Sequence, residues 1–439
     1  SMATENSAPR SLRLRIAFCG RVNAGKSSLV NLIADQDVSI VSPEPGTTTD
    51  AVTKAMELRP LGPVTLVDTA GLDDGSALGP RRAERALRAI ESCDLAVLVA
   101  PPGDWGPTEE AIASAAARRG TPLMIVVNKV DDEAAERIAD GSARAGVPSL
   151  RCSCVRARTD PGYREAIMAG FKKAVVELCP EGAFAPQAIL ADLLPVGDEP
   201  ALLVLVAPID GETPRGRLIM PQVQSIRDAL DARAITVVVQ DGEYQKALAA
   251  LSRAPDLVVC DSQVIGAVHR DTPPGVALTT FSILFSRVKG DMEALAAGCA
   301  TLSALSPGDR VLVAEACTHH PSFDDIGRVK LPRWIREHAG SAIDIDHSAG
   351  GDYPADLGGY RLVVHCGACT LTRKEGIVRI ERAREAGVAI TNYGMAISLM
   401  HGALERALEP FPSALAAYRD AALRDAALRD AAGDRAATL

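Results

Sequence analysis

Gly20-Arg21-Val22-Asn23-Ala24-Gly25-Lys26-Ser27 places two glycines with four residues between them and closes on a Lys-Ser pair. Those residue types at that spacing suit a polyphosphate. Glycines let main-chain N–H groups close around phosphate oxygens, and a following helix adds positive potential. Lys26 reaches the β- and γ-phosphates, and the Ser27 hydroxyl ligates magnesium. A ligand-free strand-to-helix turn would show this motif alone, but two more follow in order. Asp68-Thr69-Ala70-Gly71 supplies a carboxylate that holds magnesium through water and a glycine that lets main chain approach the γ-phosphate. Asn128-Lys129-Val130-Asp131 supplies a carboxylate able to accept hydrogen bonds from guanine N1–H and the exocyclic amine together. Adenine offers no such donor pair. Taken alone, Asp131 would read equally well as a helix N-cap. Ser153-Cys154 falls where a further base-contacting loop belongs. The predicted nucleotide-binding set is Asn23, Ala24, Gly25, Lys26, Ser27, Ser28, Asp68, Asn128, Lys129, Asp131, Ser153 and Cys154.

A second constellation follows much later. Five of the seven histidines lie between positions 319 and 365, and three of the ten cysteines stand at 317, 366 and 369. Written out, Cys317-Thr318-His319 is followed by 45 residues and then His365-Cys366-Gly367-Ala368-Cys369. Three thiols and two imidazoles in that pattern suit a metal. Zinc would take a closed tetrahedral Cys₃His site. An iron–sulfur cluster would take three thiolates and leave a weak or exchangeable fourth position. Spacing leaves both open. Gly367 and Ala368 are small enough for a bulky group to lie against the main chain. Buried cysteines with satisfied histidines are the metal-free alternative. His320 reads as supporting or structural, and His269, His338, His347 and His401 read as ordinary. Cys19, Cys93, Cys260 and Cys299 sit in or beside apolar runs and read as core. Cys152 and Cys154 flank the base-contacting Ser153, and Cys179 lies near a domain boundary.

Positioning these groups requires parallel sheets. Strand-like runs at 12–19, 64–67, 95–100, 123–127 and 149–152 alternate with helical stretches such as 81–92 and 109–119. Each nucleotide motif then follows the carboxyl end of a strand. A Pro/Gly-rich boundary at 179–186 precedes strands at 201–209, 234–239 and 257–260, with helices at 218–232 and 244–252; residues 281–289 fit no single pattern. From the turn at Ser306-Pro307-Gly308-Asp309 come strands at 310–315, 342–345, 360–365 and 388–392 and helices at 332–338, 373–386 and 395–408. Cys317 and Cys366 each follow a strand, where open parallel sheets form ligand sites. The expected fold class is α/β: a P-loop GTPase domain at 12–178, then two further α/β domains with mainly parallel sheets at 187–303 and 305–412. The remainder, 413–439, repeats Ala-Ala-Leu-Arg-Asp and reads as a polar helical or disordered tail. Ser1-Met2 reads as a tag remnant.

Composition narrows the partners. Net charge is −9 and aromatics are 3% of 439 residues, which argues against nucleic acid as main partner and against base-stacking platforms. No apolar run approaches the ~18 residues of a membrane span, and no secretory signal is visible, so a cytoplasmic location is expected.

The nucleotide motifs, in this order and each at a strand's end, resemble a translation-factor-class GTPase domain. Gly46-Thr47-Thr48-Thr49-Asp50 resembles the first switch of the potassium-activated GTPases of the Era and TrmE type. That resemblance makes Thr48 a magnesium ligand beside Ser27, and Asn23 a potassium ligand. Lys26, Asn23, Thr48 and Gly71 are then the catalytic set. Leu72 departs from the Ras pattern, in which a Gln orients water there. Its side chain can make no hydrogen bond, so water must be positioned by main chain, Asp73 or Asp74, potassium or a partner chain. Slow hydrolysis suited to switching follows.

Cys-x-His, about 45 residues, then His-Cys-x-x-Cys resembles the cluster motif of the HydF family, the GTPase maturation factors of FeFe-hydrogenase. Glu315-Ala316-Cys317-Thr318-His319-His320-Pro321 and Ile390-Thr391-Asn392-Tyr393-Gly394 are similar to that family's segments. The resemblance implies a 4Fe-4S cluster on Cys317, Cys366 and Cys369, with His319 and His365 as fourth ligand or support. It also implies a scaffold that receives a transient di-iron subcluster built by the radical-SAM maturases HydE and HydG and delivers it to apo-hydrogenase. The middle domain would then make a homodimer. Its Met220, Ile283, Leu284 and Phe285 suit either that interface or a core, and the core is the simpler reading. Two rivals stand beside this: a zinc-containing GTPase of RNA modification or ribosome assembly, and an electron-transfer enzyme, for which an exchangeable iron is a poor design.

Overall fold

The computed structural model describes residues 9–34, 42–43, 52–59, 61–72, 79–140, 146–179, 188–209, 216–316, 325–350, 353–354 and 356–436. The chain forms two compact units, 1–186 and 187–439.

The first unit is a sheet of strands β1 (Leu14–Cys19), β2 (Ser42–Pro43), β3 (Val52–Leu58), β4 (Gly62–Asp68), β5 (Leu95–Ala100), β6 (Leu123–Val127) and β7 (Ser149–Arg151), in the order β2-β3-β4-β1-β5-β6-β7. Strands β1 and β5 are buried at every position, as a parallel strand covered by helices on both faces must be. One face packs the helices Lys26–Ala34 and Pro161–Leu178, where Phe171 stacks on Phe18 with ring centroids 6.2 Å apart. The other face packs the helices Gly79–Ser92 and Pro107–Arg118. The sequence reading lacked β2 and β3. β3 runs antiparallel to β4 near the sheet's edge, and its Thr, Lys and Glu weaken the apolar signal. Strand order reverses around β1, with β4 on one side and β5 on the other, and this opens a crevice at its carboxyl end.

The second unit holds two four-stranded sheets, both wholly parallel. One contains β8 (Leu202–Val206), β9 (Ile235–Val239), β10 (Leu257–Cys260) and β11 (Ala277–Thr280), ordered β11-β10-β8-β9. The other contains β12 (Arg310–Glu315), β13 (Asp344–Ala349), β14 (Leu362–His365) and β15 (Ala389–Asn392), ordered β13-β12-β14-β15. The α/β class with mainly parallel sheets is as read from sequence. A single apolar cluster runs through both sheets, from Ile189 to Ala414. The ambiguous stretch 281–289 is the helix Phe281–Lys289, which starts directly from β11 because the Thr280 hydroxyl accepts the Ile283 N–H at 3.1 Å. Ile283, Leu284 and Phe285 on it are fully buried, so they are core. The helix expected over 395–408 is two helices, Tyr393–Met400 and Leu404–Leu408, interrupted where Gly402 takes a left-handed φ of 69°.

The repeated C-terminal segment is the helix Pro412–Ala436, and it packs along the helix Met292–Cys299. Among the described residues no helix is long and apolar enough to cross a membrane. Met292–Cys299 in turn lies directly on β15: a Cβ added at Gly298 would sit 2.1 Å from the Ile390 carbonyl oxygen. Because main chain rather than a flexible side chain would have to yield, Gly298→Ala should lower the unfolding free energy by about 1–3 kcal/mol, measured by chemical denaturation; an unchanged midpoint would remove this contact as a packing constraint.

Candidate functional site

The phosphate loop leaves β1 at Gly20, whose φ of 146° and close approach to Val99 exclude a side chain: a Cβ would lie 2.2 Å from the Val99 oxygen. The loop ends at the helix Lys26–Ala34. Lys26 is buried, and its Nζ donates to the Arg21 carbonyl at 2.7 Å and to that of Gly20 at 3.3 Å. The ammonium is thus held over the loop with donor capacity left for phosphate oxygens. Asn23 takes a left-handed φ of 62°.

Ser27 and Asp68, 41 residues apart, meet: the Ser27 hydroxyl donates to Asp68 Oδ2 at 2.6 Å. The strand end carrying Asp68 is fixed by Thr69, whose N–H and hydroxyl both donate to the Phe18 carbonyl, at 3.1 and 2.8 Å. Burial pushes the Asp68 carboxyl above the ordinary carboxylate range, against the pull of the Ser27 hydroxyl and the Lys26 and Lys54 charges. Its Oδ1 is buried with no hydrogen-bond partner among the described residues. A hydroxyl and an unsatisfied carboxylate oxygen form a hard-oxygen donor set, which fits magnesium.

The base end is equally organised. The Asn128 amide donates to the Ala24 carbonyl at 3.0 Å and its oxygen accepts the Cys154 N–H at 3.3 Å, which ties three loops together. The Ser153 hydroxyl donates to Asp131 Oδ1 at 2.5 Å. Asn23, Gly25, Lys26, Ser27, Ser28, Asn128, Lys129, Asp131, Cys154 and Val155 line one open cavity of ≈ 320 Å³. Sequence reading had named all of these except Val155. It missed Tyr163, whose hydroxyl accepts the Ser153 N–H at 2.9 Å and whose ring lies under Arg156. It also missed the acidic partners of Arg21, Asp104 and Glu109. Neither group has a local spacing signal.

Leu72 is half-buried and packs against the core beneath the sheet, while its N–H donates to the Gly20 carbonyl at 3.4 Å. Thr48, with the rest of the 46–50 segment, and Asp73 and Asp74 lie outside the described residues.

The cysteine loop is built at the end of β14. Register pairs Ala314 of β12 with His365 of β14, and the Cys366 N–H continues the ladder to the Ala314 carbonyl at 2.9 Å. The main-chain N–H of Ala316, the residue before Cys317, donates to Cys366 Sγ at 3.1 Å. Ala368 takes a left-handed φ of 54°, and the Leu371 N–H closes the turn on its carbonyl. Thr372 and Glu375 then cap the helix Arg373–Glu385 reciprocally. Cys366 and Cys369 are half-buried, and burial raises the Cys369 thiol pKa.

His365 is buried with both ring nitrogens engaged. Nδ1 meets the Cys366 carbonyl at 2.8 Å, and Nε2 meets Arg379 Nη1 at 2.8 Å. Since the guanidinium can only donate, Nε2 accepts and Nδ1 carries the proton. Burial first, and the Arg379 charge second, press its pKa down to about 3. Behind Cys366 lies a small cavity of ≈ 30 Å³, lined by Ser286, Lys289, His365, Arg379 and Asn392 among others. The Arg379 guanidinium, which stays protonated, makes this wall positively charged, and Lys289 beside it is 4% exposed. Such a wall and an N–H donor to sulfur suit an anionic thiolate-bound group. Cys317, His319 and His320 lie outside the described residues, and among the described residues no three His, Cys, Asp or Glu side chains form a metal-binding group. Cys19, Cys93, Cys260 and Cys299 are fully buried in the core, and Cys152 and Cys154 bring their sulfurs to 3.9 Å.

Comparison with known proteins agrees with this geometry. Residues 15–129 match the model of a 50S ribosome-binding GTPase. Residues 189–290 match the hydrogen maturase F dimerization domain, and residues 293–410 match the hydrogen maturase F tetramerization domain. The chain belongs to the hydrogen maturase F family. Its first unit carries a GTPase domain, which implies magnesium with the nucleotide. GTPase Der of Kosmotoga olearia is 39% identical over 124 residues, 27% of this chain and 28% of that protein. The tRNA modification GTPase MnmE of Halorhodospira halophila is 35% identical over 174 residues, 39% of this chain and 36% of that protein. The chain thus spans about a third of the length of these curated relatives. A solved structure of Aquifex aeolicus Era bound to GDP and aluminium fluoride aligns at 18% identity over 52% of this chain and 93% of that one, with a TM-score of 0.29, too low to add to the assignment.

The guanine contact predicts a specificity exchange. Asp131→Asn replaces an acceptor by a donor opposite the exocyclic position, so GTP affinity should fall about 100-fold or more while a xanthosine triphosphate, which presents a carbonyl there, becomes the better ligand. Nucleotide titration of the variant tests this, and unchanged GTP preference would remove Asp131 from the base site.

Proposed function

We propose that this protein is a GTP-switched carrier that holds a 4Fe-4S cluster on Cys317, Cys366 and Cys369, takes up a di-iron fragment there and delivers it to apo FeFe-hydrogenase. HydE and HydG would be the source of that cargo. The observation that carries the reading is the 3.1 Å hydrogen bond from Ala316 N–H to Cys366 Sγ. It ties the residue next to Cys317 to the Cys366 sulfur, at the carboxyl ends of adjacent strands where their order reverses. A cluster on three thiolates supplies an iron with a labile position, which suits temporary attachment of a metal fragment.

The chain's own groups divide the remaining work. His365 has no ring nitrogen to spare, so it supports the loop through the Cys366 carbonyl. His319 is then the candidate for the fourth ligand. Lys289 and Arg379 balance negative charge behind the thiols. At the nucleotide, Lys26 neutralises the β- and γ-phosphates, and Ser27, Asp68 and Thr48 hold magnesium. Asn23 contributes to a potassium site. Leu72 packs into apolar surroundings and leaves water orientation to other groups, which makes hydrolysis slow. GTP binding and hydrolysis alter partner docking and do not build the cargo. The homodimer forms through the sheet β11-β10-β8-β9, whose edge strand β9 exposes Ile235 and Val238. The whole assembly works in the cytoplasm.

Anaerobic reconstitution of the full chain with iron and sulfide, followed by metal analysis and EPR of the reduced protein, tests the cluster. A reducible 4Fe-4S signal is expected; stoichiometric zinc with no reducible iron would sink the reading in favour of a zinc-containing GTPase. Cys366→Ser should abolish that signal and leave GTP hydrolysis within about twofold. Equal loss of both would mean that the two units do not divide the work. Replacing potassium by sodium should slow hydrolysis, and equal rates in the two buffers would remove Asn23 from the catalytic set.

A further inference from the structure

Arg21 is the first residue after the glycine that opens the phosphate loop. Its guanidinium makes a two-pronged pair with Glu109, Nε to Oε1 at 2.9 Å and Nη2 to Oε2 at 2.7 Å, and Nη1 meets Asp104 at 2.9 Å. Glu109 is completely buried, and its Oε2 also accepts the Gly106 N–H at 2.9 Å. Gly106 is packed onto the pair: a Cβ there would lie 2.6 Å from Arg21 Nη2. The connection spans 88 residues and ties the phosphate loop to the first turn of the helix Pro107–Arg118.

Stability alone does not explain a buried carboxylate here, since a well-packed apolar pair of similar volume does as well or better. What the ionic pair adds is direction. Two parallel N–H···O bonds fix the orientation of the guanidinium as well as its distance, and an apolar contact fixes neither. Direction matters at this position. The Arg21 carbonyl accepts Lys26 Nζ at 2.7 Å, and two residues further Asn23 holds its left-handed φ of 62°. A rotation of Arg21 would therefore move the ammonium and the loop's N–H groups together.

We propose that Glu109 is a positioning residue for nucleotide binding: acting through Arg21, it fixes the leading limb of the phosphate loop so that Lys26 and the main-chain N–H groups meet the phosphates without prior rearrangement. The inference rests on the GTPase activity and not on the carrier reading. Because the cradle holds phosphates common to both nucleotides, the effect falls on GDP and GTP alike and on ground-state binding more than on the chemical step.

The test titrates the full chain with GDP and with a slowly hydrolysed GTP analogue in magnesium, and measures kcat and KM for GTP. Glu109→Gln should raise both Kd values and KM about tenfold and leave kcat within about twofold. Arg21→Met should do the same, and the double variant should be no worse than either single one, because both remove one interaction. Glu91→Gln is the structural control. It breaks the ion pair with Arg118 at the other end of the same helix, and should lower the melting temperature without changing either Kd. Unchanged Kd values in Glu109→Gln, or additive losses in the double variant, overturn the proposal. If Glu109→Gln does not fold, Arg21→Lys carries the test: it keeps the charge and loses the fork, and unchanged affinity in it is equally fatal.

Discussion

Cys366 donates its main-chain N–H to Ala314, and Thr69 donates its own to Phe18, each as the first bond past the end of a parallel ladder. Parallel strands must all end on the same edge of their sheet, and helices must cover both faces of strands as apolar as β1, β5 and β14. The loops at that edge are then the places where main chain is free to meet a ligand. Both candidate sites are consequences of this constraint. In each, the chain connections from adjacent strands lead to opposite sides of the sheet, and the chemistry-bearing residues follow strand ends that register brings together.

The two sites use that edge differently. At the nucleotide, polar groups from loops far apart in sequence are linked before any ligand arrives: Asn128 to Ala24 and Cys154, Ser27 to Asp68, Ser153 to Asp131. Such linkage lowers the ordering that binding must impose. At the cysteines the linkage is of the loop's frame. Ala316 and Ala314 bond to Cys366, and His365 locks onto the Cys366 carbonyl, while Cys369 projects from a turn that ends in a capped helix. Burial and the Arg379 charge keep His365 neutral, so the frame of this loop carries no titrating imidazole charge. The dimerization and tetramerization modules of the family sit on one continuous apolar core, so the cysteine loop is anchored to both sheets. The helix Phe281–Lys289 makes that connection: it starts from β11 of one sheet, and its Lys289 faces the cavity behind Cys366 of the other.

Amino-acid order alone determined the class of sheet, the phosphate and guanine motifs and the thiol triad, because each depends on short spacing next to an apolar run. Val52–Leu58 was illegible, since a strand near the sheet's edge with Thr, Lys and Glu gives no apolar signal, and so was the start of the helix at Phe281, where Thr280 closes a strand and caps a helix at once. Three decisions belonged to tertiary structure. It gave Arg21 its partners 83 and 88 residues away at Asp104 and Glu109, and it engaged both His365 ring nitrogens, with the Cys366 carbonyl and with Arg379. It also set Lys289 behind Cys366. The physical reason is the same in each case. A hydrogen bond or a buried charge depends on which groups are close in space, and separations of tens of residues in the chain leave no periodicity from which that closeness can be read.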